Sequence, residues 1–574
     1  MSPVAPPDLL AGLDPEQRQA AETLLGPVCI LAGAGTGKTR ALTHRIAHGV
    51  ATGVYDPARV LALTFTTRAA GELRTRLRQL GAGGVTARTF HSAALSQLSH
   101  FWPDVVGGSL PRILNAKGRL LGQAAESLRI RVDTAALRDV AAEIEWRKIT
   151  RMTLDDYARA AESRALPPGL GVDGMVAMQE AYERIKDERR QLDFEDVLLA
   201  TAGMIESEPR IAEQVRAQFR FFVVDEYQDV SPLQQELLEL WLGTRTDLCV
   251  VGDASQTIYS FAGASSDYLL GFGARYPEAA VLRLETNFRS APAILQVANR
   301  LMRGRAGALE LRSDAAPAPK AAPVAEPVAY DTDLDEARSI ATAVVAEIGA
   351  GTRPEKIAVL YRVNSQAAQF EAALADAGVS TRLIGATRFF DLDIIKRAVL
   401  ELRSVARTGE RGPLFQSVSD VLRHLGWTLQ PPEGGGAVRE RWEALTALVE
   451  LADQAPAGTT LVDFVADLLE RQTAQHEPTV SAVVLSTLHS AKGLEWESVH
   501  IAGLSEGLLP VNHARGLAAI DEERRLLYVG ITRARTRLAL SWSRQGLRGQ
   551  SREPSRFLAE LRTSSADAGA AGRR

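Results

Sequence analysis

Residues Ala32 to Thr39 read AGAGTGKT and follow directly on the apolar run Pro27-Val28-Cys29-Ile30-Leu31. A buried strand feeding a glycine turn that ends in Lys-Thr predicts an α/β fold with a parallel sheet and a phosphate cradle at the strand end. Gly33, Gly35 and Gly37 let the backbone curl, so that N–H groups along Ala34, Thr36 and the residues up to Arg40 point at the phosphates. Lys38 reaches the β/γ oxygens, and the Thr39 hydroxyl holds Mg²⁺. Ala32 takes the first slot of the strict G-x-x-x-x-G-K-[ST] form, a small residue that keeps the loop tight. The predicted cofactors are ATP and Mg²⁺.

The rest of a hydrolytic site follows along the chain. Phe221, Phe222, Val223 and Val224 run into Asp225-Glu226, the pattern of a buried parallel strand ending at the phosphate edge. Asp225 is the predicted second Mg²⁺ residue, and Glu226 the group that orients and polarises the attacking water. An apolar run before two acids is weak evidence alone and gains weight after the Lys-Thr cradle. A third run, Leu248 to Val251, leads into GDASQTIYSFAGA, with Gln256 placed to sense the γ-phosphate.

The order of these motifs resembles the superfamily 1 helicases of the UvrD/PcrA/Rep group, and the resemblance extends over nearly the whole chain. LDPEQRQA resembles the adenine-reading motif, with Gln17 on the adenine edge. LALTFTTRAAGELRTRL resembles the first strand-contacting motif (Phe65, Thr66, Arg68), and TARTFHSAAL the next (Thr89, Phe90, His91). LETNFRS offers Phe288 to stack on adenine and Arg289 to touch the γ-phosphate. VVLSTLHSAKGLEWESVH and EERRLLYVGITRARTRL place His489, Lys492, Gly493, Glu495 and Arg533 in matching positions. Glu495 is thereby assigned to the nucleotide, His489 to DNA and Arg533 to catalysis with Lys38, Asp225, Glu226, Gln256 and Arg289. In isolation His91 and His489 also read as core histidines and Phe65, Phe90 and Phe261 as core aromatics, while Trp496 reads equally as core or DNA contact.

Composition bounds the partners. With 66 Lys+Arg against 70 Asp+Glu the net charge is −4, which excludes a blanket of positive charge and requires DNA to be held by a local basic groove and by stacking. Cys29 and Cys249, the only cysteines, fall in predicted buried strands and supply no four-thiolate metal site. No stretch approaches about 18 apolar residues, and the N-terminus lacks a secretory pattern. The expected setting is cytoplasmic and nucleoid-associated, without membrane.

The resemblance implies two RecA-like P-loop lobes with parallel sheets, each with a mainly helical insertion. The expected first lobe is 1–92 and 191–312, with a helical insertion at 93–190. An Ala/Pro-rich linker spans 313–327. The second lobe is 328–403 and 482–562, with a shortened insertion at 404–481 and a disordered tail at 563–574. Nucleotide is expected in the cleft between the lobes. Three departures stand out. The second insertion is short. Ser260-Phe261-Ala262 replaces the family's Arg-Trp-Arg. The presumed strand-separating hairpin, SWSRQGLRGQSREPSRF, has no aromatic at its tip, Leu547 being the nearest candidate. These features resemble the compact actinobacterial members without their usual further C-terminal domain. The implied activity is ATP-dependent translocation on single-stranded DNA, with 3′→5′ helicase action at single-strand/duplex junctions, in repair or replication restart. The chain is expected to be monomeric without DNA and to act with a repair or replication partner. An ATP-gated DNA-binding module that loads a partner is the alternative.

Overall fold

A computed structural model describes residues 9–561 except 115, 165, 168, 315–323, 385–389, 391, 409–411, 431, 433–436, 454, 457, 475–481 and 547–548. The expected tail and Leu547 therefore lie outside the described residues, as does most of the expected linker. The chain divides into two units. The first holds Met1–Arg289 and Arg303–Asp314, the second Ser290–Met302 and Ala315–Arg574.

The first unit is built on strands β1 (Val28–Ala32), β2 (Val60–Thr64), β3 (Thr86–Thr89), β4 (Phe221–Val224), β5 (Leu248–Gly252) and β6 (Ala280–Leu284). They pair in the order β3-β2-β4-β5-β1-β6, every ladder parallel. Alternate side chains enter different cores, which is why the strands read as unbroken apolar runs. Phe222 and Val224 pack with Trp241 and Phe90, whereas Phe221 and Val223 pack with Ile46 and Leu73 on the other face. Cys29 and Cys249 are buried in opposite cores, Cys249 pairing with Val28 across the ladder. Burial pushes the Cys29 thiol up to about 12 and raises that of Cys249, so neither is a thiolate nucleophile.

The second unit repeats the architecture with β7 (Val328–Thr332), β8 (Ile357–Tyr361), β9 (Thr381–Ile384), β10 (Val483–Thr487), β11 (Trp496–Ile501) and β12 (Ala534–Gln545), in the order β7-β12-β11-β8-β10-β9, again parallel throughout. Among the described residues no helix is long and apolar enough to cross a membrane.

Each helical insertion has its own core. Leu121, Ile144, Tyr157, Met178 and Tyr182 close the first, and Ile395, Leu402, Leu422, Trp427, Leu448 and Phe464 the second. Two expected boundaries fall inside helices. Residue 92 lies within Phe90–Val105, and residue 403 within Asp393–Thr408. A further difference concerns 290–302, expected in the first lobe: the helix Pro292–Met302 packs against Leu517–Ile531 and Arg556–Leu561 of the second unit. Its apolar residues Ile294, Leu295, Val297, Ala298 and Leu301 are buried there, and sequence position alone does not say which lobe offers the matching face.

The first insertion is fastened at Gln191–Asp196 by a buried ionic cluster. Lys148 lies 2.7 Å from each of Glu183, Asp193 and Asp196, Lys186 pairs with Glu183 and Asp196, and Tyr182 donates to Asp193 at 2.9 Å. The three carboxylates lie close enough to share a cation. Two lysine ammonium groups already fill that role. Burial opposes ionisation of Asp193, but Lys148 and Lys186 outweigh it and hold the carboxyl well below its usual range. A depressed carboxyl contributes stability above its unfolded pKa, about 4, and loses it as pH falls below that value. Lys148→Met should cost roughly 3–5 kcal/mol, the scale for a buried pair that loses one partner. Urea denaturation at pH 7 checks this, and a loss under about 1 kcal/mol would show that Lys186 compensates alone.

Candidate nucleotide and strand site

The glycine turn leaves β1 and enters helix α1 (Lys38–Ala51) through Gly37, which is left-handed at φ 79°. Four consecutive carbonyls of the turn are taken by protein donors. The Thr36 hydroxyl donates to Gly33 O (2.9 Å), Asn287 Nδ2 to Ala34 O (2.6 Å), Phe288 N to Gly35 O (3.0 Å) and Gln17 Nε2 to Thr36 O (2.9 Å). Because the N–H and C=O of a trans peptide point in opposite directions, holding these carbonyls turns the amides of Ala34, Gly35 and Gly37 to the other side, as phosphate binding requires, while the Thr36 N–H closes onto Gly33 O at 3.4 Å. Gly35, at φ 70°, has no room for a Cβ, which would stand 2.8 Å from Arg289 Cβ. At Gly37 a Cβ would stand 2.6 Å from Gln17 Nε2. Both positions therefore need glycine for space as well as for conformation.

Acids gather on the same sheet edge. Asp225 continues β4 by donating its N–H to Leu63 O at 2.9 Å. Burial, reinforced by the Glu226 charge and opposed by Lys38, pushes its carboxyl up to about 7. Burial also raises Asp253, against the pull of Lys38. Glu226 is left-handed (φ 53°, ψ 39°), a conformation that costs a non-glycine residue free energy and recurs at functional sites. Gln228 Nε2 donates to Glu226 Oε2 at 2.5 Å, and its Oε1 accepts the Asp253 N–H at 3.0 Å. Gln256 Nε2 donates to Asp253 Oδ2 at 2.7 Å. Glu226, Gln228, Asp253 and Gln256 thus form one hydrogen-bonded group, with the Lys38 charge acting on Asp225 and Asp253 beside it. Hard oxygen donors such as Thr39 and Asp225 fit Mg²⁺, and a buried carboxyl pushed upward fits a site that gains positive charge with its ligand.

Several positions singled out by sequence land elsewhere. Phe90 is 1% exposed and stacks on Trp241 with ring centroids 6.1 Å apart, so it is a core residue rather than a strand contact. Trp496 is likewise buried. Thr89 and Thr66 cap helices, accepting from Ser92 N and Ala69 N, and Thr66 is exposed as well. Phe65 is half-buried against the Trp241 core, while Arg68 is exposed and paired with Glu72 at 3.1 Å. Phe261 is 67% exposed, edge-on to Tyr259 with ring centroids 6.1 Å apart, and Phe288 is 46% exposed. Arg40 donates to Gly12 O, and Glu495 accepts from Arg535 at 3.1 Å. Arg533 is buried, its guanidinium donating to Val529 O, Leu494 O and the Thr532 hydroxyl.

The two histidines are neutral near pH 7. Burial, with Lys117 adding to it, lowers His91 to about 4; burial, with Arg362 and Lys492 adding, lowers His489 to about 3. Neither brings a charge to a phosphate, so any strand contact they make is by hydrogen bonding or ring stacking.

Sequence reading missed four residues. Glu16 accepts the N–H groups of Glu285 (2.7 Å) and Thr286 (3.1 Å) and pairs with Arg312, fixing the segment that carries Asn287. Asn287 and Asp253 were visible only as unremarked polar letters inside quoted motifs. Phe194 opens a helix yet is 49% exposed, edge-on to His91 at 5.9 Å, beside a cavity of about 290 Å³ that Lys117 and Glu145 also line. The signal was an apolar residue at a solvent-facing helix start.

A phosphate turn, a strand-end acid pair and a strand-end glutamine on one edge of a parallel sheet define a P-loop nucleotide-hydrolysing motor, here with a second parallel α/β unit in the same chain. The UvrD/REP helicase N-terminal domain matches residues 13–277, and the UvrD-like helicase C-terminal domain matches 282–431 and 412–545. The chain is 46% identical over 579 aligned residues to the ATP-dependent DNA helicase UvrD2 of Mycobacterium tuberculosis H37Rv, covering 97% of this chain and 82% of that protein. It is 29% identical over 660 residues to the ATP-dependent DNA helicase PcrA of Bacillus subtilis 168 (96% and 86% covered) and 28% over 670 to PcrA of Staphylococcus aureus Mu50 (99% and 88%). The chain belongs to the UvrD/REP helicase family.

Two outcomes check the site. A buried carboxyl whose folded pKa is raised costs stability as pH climbs from about 4 through about 7, since the folded state must give up the proton it prefers to keep. Asp225→Asn should therefore raise the nucleotide-free stability at pH 8 by roughly 1–3 kcal/mol, the scale of an uncompensated buried polar group, while abolishing turnover. Differential scanning fluorimetry beside an ATPase assay reads both. Phe90→Ala should cost about 3–5 kcal/mol, whereas Phe261→Ala should leave the melting temperature unchanged and weaken single-strand binding by about 1–3 kcal/mol; anisotropy with a labelled oligonucleotide separates them.

Proposed function

We propose that this chain is an ATP-driven translocase on single-stranded DNA that unwinds duplex from a 3′ single-stranded tail, moving 3′→5′, in DNA repair or replication restart. The reading rests on family membership and on one observation, the strained Glu226 held by Gln228 at the acid end of β4 beside the phosphate turn. Lys38 and the inward amides bind the phosphates, Glu226 takes a proton from the attacking water, and Gln256 reports the γ-phosphate to the polar group that also holds Asp253. Mg²⁺, held by Thr39 and Asp225, would neutralise phosphate charge. Arg289 and Arg533 stabilise the transferred group. Phe288 and Gln17 face adenine, Gln17 exchanging its bond to Thr36 O or sharing it. Phe261 and Phe194 offer exposed rings to bases; Thr66, Arg68 and His91 of the first unit, and His489 of the second, are each assigned to the strand. The protein works in the cytoplasm as a monomer before loading, with a repair or replication partner.

Glu226→Gln should keep ATP affinity within about twofold and slow strand-stimulated turnover about 10²–10⁴-fold, the range for losing a general base. Wild-type turnover in that variant would remove Glu226 from catalysis. Streptavidin should be displaced from the 5′ end of a labelled oligonucleotide and not from the 3′ end, and the converse would reverse the polarity.

A further inference from the structure

Glu226 leaves the end of β4 in a left-handed conformation, which persists only where the surroundings hold it. Its backbone is held locally: the N–H donates to Asp225 Oδ1 at 3.0 Å, and the C=O accepts the Asp229 N–H at 2.9 Å. These bonds fix the main chain and say nothing of where the carboxylate points. Gln228, two residues on, reaches that carboxylate directly, its Nε2 donating to Glu226 Oε2 at 2.5 Å.

The Gln228 side chain is fully buried and engaged at both ends. Its Oε1 accepts the Asp253 N–H at 3.0 Å, immediately past β5, and its Nε2 also donates to Asp229 Oδ2 at 3.4 Å. A main-chain N–H only donates and an ionised carboxylate only accepts, so the amide cannot turn around without losing a bond at each end. The last residue of β5 makes room for it. A Cβ on Gly252 would stand 2.6 Å from Gln228 Oε1 and 2.9 Å from Leu269 Cδ2. The strand end that holds Gln228 is also the one that carries Gln256, whose Nε2 donates to Asp253 Oδ2. All of these residues belong to the first unit.

We infer that Gln228 is a positioning residue for ATP hydrolysis: it aims the Glu226 carboxylate by tying it to the end of β5, and Gly252 is glycine because the amide needs its space. This rests on the general-base role given above to Glu226. A group that activates water works within a narrow geometric tolerance, and a displacement of about 1 Å can cost on the order of a hundredfold in rate. Nucleotide affinity is a separate matter, because the carbonyls of the phosphate turn are held by Gln17, Thr36, Asn287 and Phe288.

The test is a double-mutant cycle in the full chain. Gln228→Leu and Gly252→Ala are each made alone and in a Glu226→Gln background, with Gln97→Leu as a control that strips the buried Trp241 Nε1 of its acceptor. Melting temperature, the Kd of a fluorescent ATP analogue and the single-turnover rate of ATP hydrolysis with single-stranded DNA are measured for each. Gln228→Leu should slow hydrolysis by about tenfold to a hundredfold with analogue Kd within about twofold, and Gly252→Ala should slow it in the same direction. In the Glu226→Gln background neither should slow it by more than about twofold further, since a residue that acts through Glu226 then has nothing left to aim. Gln97→Leu should lower the melting temperature and leave the rate within about twofold. Wild-type hydrolysis in Gln228→Leu overturns the inference, and where that variant does not fold, wild-type hydrolysis in Gly252→Ala does so. A loss of the same size in both backgrounds also overturns it, because the role is then structural. Wild-type hydrolysis in Glu226→Gln alone would sink the reading of Glu226 and the inference with it, whereas a slowed Glu226→Gln beside an unaffected Gln228→Leu sinks only the inference.

Discussion

The phosphate turn keeps its shape because its carbonyls are claimed by groups far away in sequence. Gln17, Asn287 and Phe288 each donate to one carbonyl of the turn, and Thr36 closes the fourth bond locally. A short glycine-rich segment has little intrinsic preference for one conformation and loses much entropy on being fixed. The donors offset that loss, and each of them brings its own element along. Gln17 brings the helix Pro15–Glu22, and Asn287 brings the segment that ends in Arg289 and Ser290. The turn is therefore the point where the first sheet, the amino-terminal helix and the exit to the second unit are coordinated.

Buried carboxylates are handled in two opposite ways, and the contrast separates architecture from chemistry. Glu183, Asp193 and Asp196 lie against Lys148 and Lys186, whose charges hold Asp193 ionised across the working pH range. With Arg147 also 3.5 Å from Glu183, three cations balance the three carboxylates, and the cluster fastens a helical insertion. Asp225 and Asp253 have only partial compensation, from Lys38 and from hydrogen bonds donated by Glu226 N, Ser255 N and Gln256, and burial raises both. A protein gains nothing in stability from such acids. Their placement suits a site where a bound cation supplies the missing positive charge.

The motifs were legible because their chemistry is local. A glycine turn ending in Lys-Thr, two acids at the end of an apolar run and a glutamine after another such run can each be read within about ten residues, and strand periodicity places them on one edge of a parallel sheet. What lay outside local reading is instructive. Phe90 sits in a motif with a strand-contacting neighbour, yet its ring stacks on Trp241, about 150 residues further along the chain. Glu16 and Asn287 looked like ordinary polar letters, and their importance lies in which backbone groups they reach.

The sequence by itself determined the α/β class, the two parallel sheets, the nucleotide cradle and the family, since each depends on residue type and short spacing. Only the tertiary structure decided which aromatics are core and which are exposed, that His91 and His489 are uncharged, and that Ser290–Met302 packs with the second unit. Those outcomes depend on burial and on partners far outside any local window, such as Trp241 for Phe90 and Arg362 for His489. A side chain's charge and exposure are properties of the whole environment that closes around it, and no window of neighbouring residues contains that environment.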